Sequence, residues 1–149
     1  MAFTYLVITD FDARITAAER AAITDSDDTI LERVEIEVIE EVKALANRRY
    51  DMDAEFSKTG SARSGLLIRY VVDIIIYEVM SRNKPRQLPE IRVTRAEDAR
   101  DFIAASGNPR SNTAPAWAPL TEPIDLDPLT GKSTRSVSWG SQEKLDLNY

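Results

Sequence analysis

The sequence has neither cysteine nor histidine among its 149 residues. The missing cysteines exclude disulfide bonds and thiol nucleophiles, and the missing histidines exclude imidazole bases and nearly all zinc and copper sites. An enzyme built from this chain would be restricted to carboxylate, lysine, tyrosine or hydroxyl chemistry. We therefore interpret the chain as a structural or binding protein rather than an enzyme, and expect no cofactor and no bound metal ion.

Basic residues are also fewer than acidic ones, 19 against 25, which gives a formal net charge of −6. Tight binding of duplex DNA needs cations that neutralise phosphates, so a generic DNA-binding surface is not predicted. The charge is uneven: residues 1–55 carry 14 acids and 6 bases, whereas residues 56–106 carry 6 acids and 9 bases. Such complementary regions are compatible with head-to-tail self-association, and a solvated acidic helix face is the alternative.

No apolar run is long enough to cross a bilayer. The most apolar stretch, residues 66–80, contains Arg69, Asp73 and Glu78, whereas a spanning helix needs about 20 residues with few charges. This stretch therefore predicts a buried helix of a soluble protein. The N-terminus lacks the basic and apolar regions of a secretory signal peptide, so we expect the chain to remain in the cytoplasm.

Apolar periodicity predicts an all-α fold, a small bundle of about four helices in residues 1–107. A helical turn and a short helix are expected first, with Thr9 and Thr16 as N-caps. A long helix is predicted over residues 28–49 and a second one over residues 61–82, separated by a loop at 51–60. A last helix of about ten residues is predicted to begin with the capping-box spacing at Thr94 and to end at Gly107.

The long helix over residues 28–49 is acidic away from its apolar stripe. The residues predicted to form this solvated acidic face are Glu32, Glu35, Glu37, Glu40 and Glu41. Ahead of it, Asp25 and Asp27 occupy places typical of a calcium-binding loop, but isoleucines stand where that loop needs a glycine and a bidentate glutamate. The pattern therefore predicts helix capping rather than calcium binding.

Asp73 is a single acid inside the helix that is apolar on almost every side. A buried carboxylate must be paired or must shift its pKa, so Asp73 is the one candidate for a general base. We favour a structural ion pair with Arg69, four residues earlier on the same face, or with Arg48 or Arg49 of the preceding helix. An enzyme centred on Asp73 is a distant third hypothesis for the function.

Residues 108–149 are predicted to form an extended C-terminal arm, because they hold five of the seven prolines and both tryptophans but too few aliphatic residues for a core. Its apolar side chains are expected to bind neighbouring copies or other proteins, by strand addition or by filling pockets. The candidate interface residues of the arm are Trp117, Val137, Trp139, Leu145, Leu147 and Tyr149.

Several short motifs within residues 4–107 resemble the Mu-like phage family of small head-tail connector (adaptor) proteins. They are Asn47-Arg48-Arg49-Tyr50-Asp51, Leu66-Leu67, Val72-Asp73-Ile74-Ile75-Ile76-Tyr77-Glu78, Ser81-Arg82 and Phe102-Ile103-Ala104-Ala105-Ser106-Gly107. In this family, the positions matching Arg49-Tyr50, Asp73 and Tyr77 look structural rather than catalytic. The long arm departs from the compact form of the family.

The resemblance implies a helical subunit of the virion neck, assembled in the host cytoplasm as a homo-oligomeric ring of twelve copies. The implied partners are the portal protein and a tail or tail-terminator protein, with DNA passing through the ring without specific binding. An acidic channel wall would repel phosphates, which agrees with such passage. The alternative hypothesis is a small helical regulatory or binding protein whose tail folds on a partner.

Overall fold

The structure of the protein, a computed structural model, describes residues 2–83 and 88–120. Within these ranges the chain forms two short 3₁₀ turns, Ile8–Asp10 and Gly60–Ala62, and the helices α1 (Ala17–Thr24), α2 (Thr29–Ala46), α3 (Met52–Phe56), α4 (Gly65–Asn83) and α5 (Glu90–Gly107). The one β contact of the described residues is an isolated antiparallel bridge between Tyr50 and Pro119. The predicted all-α bundle with an extended C-terminal segment is therefore confirmed.

Helix α4 forms the centre of the bundle, where α1, α2 and α5 pack against it. Residues 71–76 are all buried, and their burial by neighbouring helices outweighs the preference of valine and isoleucine for strands. Arg100 of α5 links the three long helices. Its Nε lies 2.6 Å from Glu41 Oε1 of α2, and its Nη2 lies 2.6 Å from Glu78 Oε1 of α4.

The predicted cap of α1 is confirmed. The Thr16 hydroxyl accepts a hydrogen bond from the Glu19 amide, and the Glu19 carboxylate accepts one from the Thr16 amide. The prediction for Thr9 is wrong, because Thr9 lies inside the first 3₁₀ turn and Val7 precedes that turn. The Val7 amide is instead satisfied by Asp10 Oδ2 at 2.8 Å.

At the start of α2, Asp27 acts as the predicted capping residue. Its Oδ1 accepts hydrogen bonds from the amide and the hydroxyl of Thr29, at 3.1 and 2.6 Å. Asp25 adopts a left-handed conformation with φ 51° and ends α1. These two acids are thus accounted for by the turn between the helices.

Residues 51–60 do not form the predicted loop, because they contain α3 and the start of the second 3₁₀ turn. Asp51 caps α3 by accepting a hydrogen bond from the Ala54 amide at 3.0 Å. Met52 and Phe56 are buried. A helix of five residues is too short to show an apolar period, which is why the sequence pattern missed it.

The last helix is longer than predicted, since α5 begins at Glu90 rather than after Thr94. Pro89 stands just before its first turn, where the missing proline N–H costs nothing. The capping-box spacing that begins at Thr94 lies inside the helix and caps nothing. The predicted end at Gly107 is confirmed, whereas α4 begins at Gly65, four residues later than predicted.

A buried carboxylate fastens the N-terminal strap, residues 4–6, to α2. Glu35 is fully buried, and its Oε1 accepts hydrogen bonds from the amides of Tyr5 and Leu6 at 3.0 and 2.7 Å. Its Oε2 accepts from the Thr4 amide at 2.7 Å. The prediction that Glu35 belongs to the solvated acidic face is therefore wrong, because the strap covers this position and offers it three N–H donors.

A guanidinium fastens the C-terminal segment, residues 108–120, near the end of α2. Arg49 Nη1 lies 2.8 Å from the Thr113 carbonyl oxygen and 3.0 Å from that of Ser111. Glu55 of α3 is fully buried and accepts a hydrogen bond from the Ala118 amide at 3.0 Å. The packed part of the chain therefore continues beyond residue 107, into the first residues of the predicted arm.

Gly107 allows the C-terminal ends of α2 and α5 to touch. A Cβ atom at this position would lie 2.1 Å from the Leu45 carbonyl oxygen and 2.8 Å from the Ala46 Cα. The following residue, Asn108, has an extended backbone with φ −79°, so no left-handed cap is formed. Glycine ends α5 here because only it leaves room for the α2 backbone.

Candidate interaction face

An open groove lies where the end of α1, the end of α4 and the start of α5 meet. The Asn83 side-chain amide donates a hydrogen bond to the Ile23 carbonyl oxygen, which joins the last turns of α1 and α4. This contact satisfies a carbonyl group that would otherwise lack a partner at the end of α1. The groove encloses about 330 Å³ and is lined by Ile15, Glu19, Ala22, Ile23, Met80, Pro89, Ile91 and Arg92.

Ile91 is the most exposed large apolar side chain in the described part of the chain. It is 55% exposed, and it lies in the first turn of α5 at the edge of the groove. A single exposed isoleucine is ordinary on a protein surface, but here it continues an apolar lining that includes Ile23 and Met80. An apolar centre beside arginine is typical of protein-protein interfaces.

Four arginines lie close enough to the buried Asp73 to lower its pKa, although burial raises it by more, and we refer to Arg14, Arg69, Arg92 and Arg95 as the arginine cluster. Arg14 Nη2 lies 3.5 Å from Asp73 Oδ2. Arg92 Nη2 donates a hydrogen bond to the Arg14 carbonyl oxygen at 3.0 Å. Because Arg92 also lines the groove and Arg14 precedes Ile15 of its wall, the cluster and the groove form one continuous surface. We call this surface the candidate interaction face.

The charge balance of the cluster is positive, since its four guanidinium groups outnumber the two nearby carboxylates, Asp73 and the Glu19 of the groove lining. Burial raises the pKa of Asp73 above its usual value of 3.8, and the nearby arginines, Arg14 first among them, lower it by less than burial raises it. Asp73 Oδ1 and Arg92 Nη1 are buried without a hydrogen-bond partner among the described residues. The two carboxylates therefore leave a net positive charge that an acidic partner can meet.

The predicted partners of Asp73 are wrong. Arg69 is exposed, and its guanidinium lies over the Tyr70 ring, 6.0 Å from the centroid, with no ion pair among the described residues. Arg48 and Arg49 lie at the other end of the bundle. Asp73 instead points toward the turn before α1, where Arg14 reaches it, so the buried charge pair is Asp73 with Arg14 rather than with Arg69.

The other members of the predicted acidic face divide into two groups. Glu37 and Glu40 are exposed on α2, whereas Glu32 and Glu41 are only partly exposed. Glu40 Oε1 lies 3.1 Å from Lys43 Nζ, and Glu41 is held by Arg100. Only part of this helix face is therefore free acidic surface.

Trp117, the one predicted interface residue of the arm within the described part, is used by its own chain. Its side chain is 4% exposed, with the Tyr50 ring centroid at 5.3 Å and that of Phe102 at 6.3 Å. The prediction of Trp117 as a contact for partners is corrected, because the bundle itself provides its aromatic pocket. The remaining predicted residues, Val137, Trp139, Leu145, Leu147 and Tyr149, lie outside the described residues.

The residues of the interaction face were mostly missed by sequence reasoning. Ile91 and Arg92 lie in the predicted connection, since the sequence pattern places the helix start at Thr94. The dipeptide Pro89-Glu90 was the available signal, because proline followed by an acid is typical of a first helical turn. Arg14 carries no local signal, since its role depends on a carboxylate 59 positions away in the sequence.

No protein-family model matches this chain, and neither the curated proteins nor the solved structures include one with significant similarity. Residues 2–83 and 88–120 contain no cluster of three or more acidic side chains that could hold a metal ion. No helix in the same ranges is long and apolar enough to span a membrane.

Proposed function

We propose that the chain is a structural subunit that assembles with copies of itself, and that the assembly is a head-tail connector (adaptor) ring between the portal and tail of a tailed phage. The observation that carries self-assembly is the candidate interaction face, where an apolar groove meets an arginine cluster of net positive charge on a chain of net charge −6. The phage assignment is supported by the motifs within residues 4–107 that resemble the Mu-like connector family.

Charge complementarity supports contacts between copies. The arginine cluster lies beside the groove, while Glu37 and Glu40 are exposed on α2. Oppositely charged surfaces that do not coincide favour a heterologous contact, which closes into a ring when the rotation between copies is suitable. Interface electrostatics of this kind weaken as ionic strength increases.

The first experiment measures the mass of the full chain by light scattering and native mass spectrometry over a wide concentration range, at low and high salt. We expect association that decreases with salt, and ring particles by electron microscopy after mixing with a Mu-like phage portal protein. A chain that stays monomeric throughout and forms no particles with the portal would contradict the proposal.

Matched variants assign the association to the face. Ile91→Asp places a charge at the groove edge and should weaken association at least about tenfold, whereas Ile91→Val keeps an apolar side chain and should not. Neither change is expected to alter folding, because Ile91 is largely exposed. Equal association of both variants would show that copies meet through another surface.

The regulatory alternative is separated by a deletion in the phage genome. Since residues 108–120 pack on the bundle through Trp117 and Arg49, the deletion begins after Leu120 rather than after Gly107. A connector without residues 121–149 should give heads without attached tails, whereas a regulator should leave particle assembly intact. Circular dichroism of the truncated chain verifies that the bundle remains folded.

A further inference from the structure

Two stretches beyond the described residues alternate apolar and acidic side chains. Residues 124–127 read Ile124-Asp125-Leu126-Asp127, and residues 145–147 read Leu145-Asp146-Leu147. In an extended backbone, successive side chains point to opposite sides. A segment with this pattern can present isoleucine and leucine to one surface and carboxylates to another.

The interaction face has the complementary pattern. Its groove is apolar at Ile23, Met80 and Ile91, and the charged residues of its lining are Arg92 and Glu19. Arg95 is one turn further along α5 from Ile91, and Arg14 directly precedes Ile15, which lines the groove. The face therefore suits a short extended segment in which apolar and acidic residues alternate.

We propose that the groove binds residues 124–127 of a second copy of this chain, with Ile124 and Leu126 in the apolar groove and Asp125 and Asp127 paired with arginines of its rim. This inference rests on the self-assembly in the proposed function and names the contact that performs it. The segment would bind as an extended peptide. Alternate side chains would enter the groove, and the others would contact its edge.

Chain length decides that the segment comes from another copy. The described chain reaches Leu120 beside Arg49, where the Leu120 amide donates a hydrogen bond to the Arg49 carbonyl oxygen. This is the end of the bundle at which the C-termini of α2 and α5 meet. The groove lies at the opposite end, because Ile91 belongs to the first turn of α5.

The distance between these two ends exceeds the reach of the segment. Ile91 and Gly107 are sixteen positions apart in α5, which corresponds to about 24 Å along the helix. Ile124 is four residues beyond Leu120 and extends at most about 14 Å from it, and Leu126 reaches about 21 Å when fully extended. Ile124 therefore cannot reach the groove of its own chain, and Leu126 would approach it only along a straight, fully extended path, whereas a segment from a neighbouring copy enters the groove without this constraint.

The decisive experiment mixes two full-length variants. One carries Ile91→Asp, which blocks the groove, and the other carries Ile124→Ser with Leu126→Ser, which removes the apolar side of the segment. Each variant alone should lose self-association at least about tenfold. An equimolar mixture should form one-to-one pairs by sedimentation velocity, because one intact groove and one intact segment remain.

A labelled peptide of residues 121–130 tests the contact directly. It should bind the full-length Ile124→Ser, Leu126→Ser variant and lose at least about tenfold in affinity when Ile91→Asp or Arg92→Glu is added. A peptide with Asp125→Asn and Asp127→Asn should bind several-fold more weakly and with less salt dependence. A scrambled peptide of the same composition is the control for nonspecific adsorption.

Other outcomes overturn the inference. Failure of the mixed variants to pair, or an affinity unaffected by Ile91→Asp, would exclude this contact. Stronger binding by a peptide of residues 143–149 than by residues 121–130 would assign the groove to the motif at residues 145–147. The chain between Leu120 and that motif is long enough for the motif to reach the groove of its own copy. If rings form with the portal but both variants assemble normally, the connector function stands and this contact fails. If pairs form without any ring, the contact stands and the connector function fails.

Discussion

The two ends of the described chain are held to the bundle by opposite chemistry. At the N-terminus, the Glu35 carboxylate accepts hydrogen bonds from three consecutive amides. At the C-terminus, Arg49 Nη1 donates to carbonyl groups, and the oxygens of Ser111 and Thr113 are the nearest. In each case, one charged side chain of α2 or its C-terminal turn replaces the backbone partners that an extended segment lacks.

The two contacts differ in their exposure to solvent. Glu35 is fully buried, so water cannot replace its hydrogen bonds when the side chain is changed, and the strap amides would remain without partners. Arg49 is only partly buried, and water can reach the carbonyl groups that it contacts. The N-terminal contact should therefore contribute more to stability than the C-terminal one, although Arg49 has more hydrogen-bond partners than Glu35.

The largest effect is expected for Glu35→Gln. A glutamine keeps the shape, but its NH₂ group would face an amide donor of the strap, and the remaining hydrogen bonds would lose the strength that a charge gives them. We expect a loss of about 3 kcal/mol in the free energy of unfolding, measured by urea denaturation. Glu37→Gln on the exposed side of α2 is the control and should change it by less than about 0.5 kcal/mol. Similar losses for the two variants would contradict the buried role of Glu35.

A somewhat smaller effect is expected for Gly107→Ala at the other end. The added Cβ would overlap the Leu45 carbonyl oxygen, so the ends of α2 and α5 must separate, at a cost of about 2 kcal/mol. The control is Gly65→Ala, where a Cβ has no neighbour within 4 Å and the better helix propensity of alanine should stabilise slightly. Thermal unfolding of both variants measures the contrast, and a neutral Gly107→Ala would show that the helix ends can move apart freely.

Arg49→Met sharpens the comparison of the two ends. We expect it to lower the free energy of unfolding by about 1 kcal/mol, roughly one-third of the loss for Glu35→Gln, because water partly replaces the guanidinium. Arg48→Met is the control, since Arg48 is exposed and precedes Arg49 directly.

Tryptophan fluorescence reports where the Arg49→Met change acts. In a Trp139→Phe background, the emission comes from Trp117 alone, which is buried against Tyr50. A red shift in Arg49→Met but not in Arg48→Met would show that the C-terminal segment has loosened. If Arg49→Met lowered the free energy of unfolding by more than Glu35→Gln does, the C-terminal contact would be the stronger of the two.

The sequence predicted the parts of this fold that depend on periodicity. The buried run of α4 and the cap at Thr16 follow from local pattern, and both are present in the structure. Glu35 illustrates the limit, because composition alone predicts it to lie on the acidic face with the other glutamates of α2. Its spacing from Leu31 and Val38, four and three residues, places it on the apolar stripe and was the available signal. Its amide donors, however, come from a strap about thirty residues away, which no local pattern reveals.

The interaction face shows the same limit more strongly. Arg69 shares a helical face with Asp73 and was the reasonable partner by spacing, yet the structure gives that role to Arg14. The i, i+4 rule describes which residues of one helix are neighbours, but it does not say which side of the helix another segment covers. The groove likewise depends on the meeting of three helix ends. Sequence reasoning predicted association between copies but not the surface that we propose for it.

The smallest effect, and the one that depends on pH, is expected for Asp73→Asn. Burial holds the pKa of Asp73 above its ordinary value of 3.8 despite Arg14, so the folded state keeps this proton to higher pH than the unfolded state does. As pH rises from about 3.8 through the folded pKa, the unfolded chain releases the proton first and the contribution of Asp73 to stability falls. Asparagine cannot ionise, so Asp73→Asn removes this loss of stability.

The change in unfolding free energy caused by Asp73→Asn should therefore be more favourable at pH 7 than at pH 4, as measured by urea denaturation at both values. Arg14→Met should act in the opposite direction at pH 7, because it leaves the carboxylate buried without its nearest cation. Arg69→Met should change little at either pH, since Arg69 is exposed. If Asp73→Asn instead destabilised the chain more at pH 7 than at pH 4, the arginine cluster would lower the pKa of Asp73 by more than burial raises it. Much less of the positive charge of the cluster would then be left for a partner.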